Sequence, residues 1–66
     1  MKSKEQIMAD FHATLTELLD IINNRQYSIN DHLWTFLNHK LGVYVDILGN
    51  DISDEDMDQV ERIWLA

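Results

Sequence analysis

The chain has 66 residues, no cysteine and no proline, and sets five basic against twelve acidic side chains for a formal charge of -7. A chain of this length forms one domain that buries roughly 60% of its unfolded surface, and without disulfides or thiolate metal sites the expected supplement to its small core is a partner chain. The charge repels phosphate backbones and anionic headgroups, which argues against direct nucleic-acid binding and against a membrane surface.

Residues Met1 to Phe11 alternate charged and apolar side chains too quickly to contain the apolar run of a signal peptide. No stretch of about 18 uncharged apolar residues is present to span a bilayer, so the chain reads as cytoplasmic. Ile7, Phe11, Leu15, Leu18 and Ile22 then recur at helical spacing, with Met8 and Leu19 widening the stripe, and predict a helix over 4–24. Ser3 followed by Gln6 is a capping-box pattern that fixes its start.

Leu33, Leu37, Leu41, Tyr44 and Leu48 carry the same period and predict a second helix over 30–48, capped by Ser28 or Asn30 and stopped at Gly49 or Asn50. Gly42 weakens that helix by about 1 kcal/mol relative to alanine. The run Val43, Tyr44, Val45 favours β structure, so a short strand over 43–48 is the alternative. In the third segment Ser53 precedes Asp54, Glu55 and Asp56, and Met57, Val60, Ile63 and Trp64 share one side, predicting a helix over 54–65. The expected architecture is all-α, a three-helix small domain made of a helical hairpin and a short C-terminal helix, and dimeric.

The dimer expectation comes from the second helix. Its apolar residues cover an arc of roughly 200°, more than one neighbouring helix hides, and leave only Thr35, Asn38, His39, Gly42 and Asp46 as a polar strip. Either this helix is central and flanked by the other two, or one flank stays open for another chain. The candidate self-association residues are Phe36, Val43 and Ile47 on one flank, or Trp34 and Val45 on the other. A twofold homodimer is the simplest form.

The search for reactive groups yields little. The three serines, Ser3, Ser28 and Ser53, all fall at helix starts, and no motif organises the threonines and lysines into a nucleophile and base. His12, His32 and His39 lack the i, i+4 spacing of a zinc helix. The acids at the C-terminal end fail as a calcium loop, because a count from Asp51 puts Asp56 where glycine is needed and Arg62 where the closing glutamate is needed. No catalytic residue, metal or cofactor is assigned.

What remains is charge. Residues 50–66 carry six acids and only Arg62 as a base, whereas residues 1–49 carry six acids and four bases. A partner-binding surface is therefore assigned to Asp51, Asp54, Glu55, Asp58, Glu61 and Trp64, where carboxylates steer a basic groove and the indole anchors it. The expected function is a non-enzymatic interaction module that inhibits or assists a nucleic-acid-binding protein, its most concrete form a phage-type antagonist of host defence. The rivals are a self-assembling structural module with no acidic-surface partner, and a metal-dependent enzyme with a site at a subunit interface.

Overall fold

The computed structural model describes residues 2–24 and 31–66. It contains α1 (Lys4–Asn24), α2 (Asp31–Leu48), a 3-10 turn (Gly49–Asp51) and α3 (Asp54–Trp64), with no strand among the described residues. The fold is an all-α three-helix domain. Residues 43–48 are helical, which removes the strand alternative. Tyr44 explains why: its position in the helical period brings it, with Leu37, Leu41 and Leu48, to the buried side of α2, and that burial overrides local β preference. The caps proposed at Ser28 and Asn30 lie outside the described residues.

The starts of α1 and α3 follow from their caps. The Ser3 backbone N–H donates to Gln6 Oε1 at 3.1 Å while the Gln6 N–H donates to Ser3 Oγ at 3.2 Å, so two orphan donors are satisfied reciprocally. At α3 the Asp56 N–H donates to Ser53 Oγ at 3.1 Å. Between α2 and α3 the chain turns at Gly49, whose φ of +48° lies in the left-handed region that glycine enters without penalty. The Ile52 N–H donates back to the Gly49 carbonyl, and the turn drops the Ile52 side chain into the core.

α1 and α2 form an antiparallel hairpin, and α3 folds back onto α1. The helix that packs extensively against both others is thus α1, so α1 rather than α2 takes the central place. Phe11 and Leu18 of α1 are completely buried, together with Leu41 of α2 and Val60 of α3. The buried line of α1 runs through Thr14 and Ile21, with Ile7 and Ile22 only partly covered, so the stripe is rotated slightly from the one its apolar residues suggest. Thr14 is tolerated there because its hydroxyl donates to the Asp10 carbonyl at 2.8 Å.

Two polar ties hold the N-terminal half of α1 against the segment after α2. Lys4 Nζ is 3.1 Å from Asp51 Oδ2, and His12 Nε2 is 2.9 Å from Asp56 Oδ2. A third, Lys2 Nζ to Asp10 Oδ2 at 2.6 Å, ties the chain start onto α1 itself.

Candidate functional site

α3 is amphipathic with its apolar side, Val60 and Ile63, buried against the rest of the domain. At 100° per residue, the direction opposite that side is occupied by Asp54, Asp58, Glu61 and Leu65, an i, i+4, i+7, i+11 row, with Glu55 and Arg62 on one margin and Trp64 on the other. All of these side chains are exposed, Trp64 to 49%. The fold therefore brings most of the sequence-assigned acidic surface onto a single helix face.

The acids of this region differ in what they do locally. Asp54, Glu55 and Asp56 occupy the first turn, where a carboxylate complements the helix dipole. Asp56 is further committed to His12, and Asp51 to Lys4. Asp58 and Glu61 lie beyond the reach of the dipole, and neither they nor Asp54 and Glu55 have an ion-pair partner among the described residues. Among the described residues those four carboxylates are the part of the surface without a counter-charge. Asp51 is the member of the assigned set that the fold partly neutralises.

The residues assigned to self-association fall on two different sides of α2. Trp34 and Val45 are half-buried and pack against the core. Phe36 and Ile47 are 53% and 57% exposed, and Val43 and Leu33 are also open to solvent. Leu33 escaped attention in the sequence because it continues the spacing of the inner stripe. Lys40, also overlooked, lies between the open residues, its ammonium 6.0 Å from the Phe36 ring centre and 5.7 Å from that of Tyr44. Together with Thr35, His39 and Val43 these side chains line an open, mostly apolar groove of about 580 Å³.

Asp10 of α1 is an acid whose titration Lys40 influences. Its salt-bridging hydrogen bond from Lys2 holds the carboxyl below the usual range, with a smaller contribution from Lys40. The same bond raises the Lys2 ammonium above its ordinary value.

The hydroxyls of Ser3 and Ser53 serve as helix caps, and Ser28 lies outside the described residues. His32 and His39 are both exposed on α2, and His12 faces Asp56. Among the described residues no group of three or more histidine or acidic side chains is placed to hold a metal ion, and no helix is long and apolar enough to cross a membrane. The arrangement of the described residues offers two surfaces, one acidic and one apolar. In comparison with known proteins, the chain matches no family model, no curated protein and no solved structure.

Proposed function

We propose that this protein is a non-enzymatic, cytoplasmic interaction module that uses the outer face of α3 to bind the basic groove of a nucleic-acid-binding protein and so inhibits or assists it. The observation that carries this reading is the continuation of the acidic row past the first turn: Asp58 and Glu61 extend Asp54 along one face and have no ion-pair partner among the described residues. Helix-start electrostatics account for Asp54 and Glu55 and leave Asp58 and Glu61 unexplained. Along the helix axis the three carboxylates of the row span about 10 Å, roughly one charge per 5 Å, a linear anionic row that a basic groove can accommodate. Trp64 on the margin supplies an aromatic anchor of the kind enriched in interface centres.

The experiment is affinity capture from cells of the source organism with the wild-type chain and with a triple charge reversal, Asp54→Lys, Asp58→Lys and Glu61→Lys. The reading requires a basic nucleic-acid-binding protein retained by the wild type, lost with the variant, and displaced by added duplex DNA or RNA. Equal capture by both chains rejects it. The antagonist of a host-defence nuclease is the most concrete form, supported by size and acidity.

A second reading, a module whose main partner is itself, is favoured by the open apolar side of α2. The two readings use different surfaces and are compatible in one molecule.

A further inference from the structure

α2 carries two apolar seams. The inner one, Leu37, Leu41, Tyr44 and Leu48, is buried within the domain. The outer one, Leu33, Phe36, Lys40, Val43 and Ile47, is spaced three, four, three and four residues apart, which is the a/d repeat of a coiled-coil seam with a lysine at its central a position. Four of the six residues lining the groove on α2 are Phe36, His39, Lys40 and Val43. That i, i+3, i+4, i+7 set is the socket into which a facing helix inserts one side chain.

From this geometry we infer that the groove is filled by Val43 of a second copy of this chain, in an antiparallel, twofold pairing of α2 whose axis passes beside Leu41 and Gly42. The inference rests on the self-association reading of α2 and adds its occupant and register. Charge selects both. The chain as a whole is strongly acidic, yet α2 carries only Asp31, Lys40 and Asp46, so its outer face is where two copies approach with least repulsion. A parallel pairing sets Lys40 against the partner's Lys40 in the middle of the seam. An antiparallel pairing one heptad step away from the one inferred sets Phe36 against the partner's Lys40 and brings His39 onto the partner's His39.

The inferred register packs Phe36 against the partner's Ile47 at both ends, which covers the two most exposed residues of the seam. In the centre, Lys40 lies beside the partner's Val43, its stem covering the valine while its ammonium and the neighbouring His39 reach the partner's Asp46. Each α2 thus supplies both the cation and the anion of its own interface, as an isologous contact requires. Asp46 itself is exposed and has no ion pair within the described residues of its own chain.

Sedimentation of the full chain over about 1–100 μM tests the pairing, with far-ultraviolet circular dichroism on every variant to confirm the fold. A dimer is expected at the upper end. Lys40→Glu and Asp46→Lys should each weaken dimerisation by about tenfold, and the chain carrying both should recover to within about threefold, because the exchanged pair is complementary again across the axis. As an independent trap, the chain bearing both H39C and D46C should form an interchain disulfide on oxidation, whereas either substitution alone should not. A wild-type monomer at about 100 μM overturns both the self-association reading and the register. A dimer in which the double charge exchange gives no recovery and the paired cysteines do not cross-link overturns the register alone.

Discussion

His12 and Asp56, 44 positions apart in the chain, meet at 2.9 Å between Nε2 and Oδ2 and join the middle of α1 to the first turn of α3. Asp56 serves two ends there: it faces the imidazole, and it sits where a carboxylate complements the α3 dipole. Because the pair is largely solvated, His12→Ala should cost no more than about 1 kcal/mol, and Asp56→Ala should cost more than His12→Ala by a few tenths to about 1 kcal/mol through the lost dipole interaction. Urea unfolding near neutral pH gives both values. A His12→Ala cost above about 2 kcal/mol would show that the contact is not the solvated pair described.

The cap at Ser53 makes a sharper prediction. Its hydroxyl satisfies the Asp56 N–H at a helix of only 11 residues, so Ser53→Ala should destabilise by about 1 kcal/mol. For a domain of this size that corresponds to a fall of roughly 4–8 °C in melting temperature. Ser53→Asp preserves the acceptor and should recover most of the loss. At Ser3 the same truncation should cost less, because the start of α1 is exposed and frays without taking core contacts with it.

The two sides of α2 separate by substitution. Leu41→Ala removes a completely buried side chain and should cost about 2–5 kcal/mol, comparable to the whole stability of a domain this small. Phe36→Ala, at a position 53% exposed, should leave the monomer's stability within about 0.5 kcal/mol. Thermal melts at low protein concentration, where self-association is absent, provide the comparison. Equal losses would mean that Phe36 belongs to the core.

That contrast also marks what the amino-acid pattern reveals. Helical period alone predicts α1 over its full range, places Ser3, Gln6 and Ser53 in their capping roles, and identifies α2 as carrying more apolar surface than one neighbour covers. Period says which residues share a side and nothing about which side meets which helix. Trp34 and Val45 on one flank and Phe36, Val43 and Ile47 on the other are therefore equivalent until the core is seen to take the first flank. Ile52 is legible only in three dimensions, because an isolated isoleucine in a polar turn has no periodic partner and its burial depends on the Gly49 turn. The acidic segment is visible as composition, but its division into Asp51 and Asp56, which are paired, and Asp58 and Glu61, which have no partner among the described residues, needs the fold.

Acid should expose the Lys2–Asp10 pair. The Asp10 carboxyl titrates below its ordinary value in the folded chain because it accepts a hydrogen bond from Lys2. Its contribution to stability is present above the unfolded carboxylate pKa and is lost as pH falls through the depressed folded value. Asp10→Asn should therefore be less stable than wild type near neutral pH, and the two should converge in acid once the pH falls below the depressed folded value. At the alkaline end the sign reverses for Lys2, whose raised pKa gives a contribution that is complete below the ordinary lysine value and disappears as pH climbs through the folded one. Urea midpoints across pH, compared between wild type and Asp10→Asn, show whether the difference closes in acid; a constant gap would mean that the pair contributes through packing.

The two glycines should respond to alanine with opposite signs. Gly42 lies inside α2, and a β-carbon built there meets no atom within 4 Å, so Gly42→Ala gains helix propensity and restricts the unfolded chain without a steric cost. It should stabilise by about 0.5–1 kcal/mol. At Gly49 the space is equally open, yet φ is +48°, and an L side chain there pays about 1–2 kcal/mol for the left-handed backbone. Space is thus the same at both sites and backbone conformation decides the outcome. Gly49→Asn, which tolerates that conformation better, should lose less than Gly49→Ala. Because the Gly49 turn delivers Ile52 to the core and sets the approach of α3, Gly49→Ala should also weaken protection of α3 amides in hydrogen exchange, while Gly42→Ala should leave α3 protection intact or raise it.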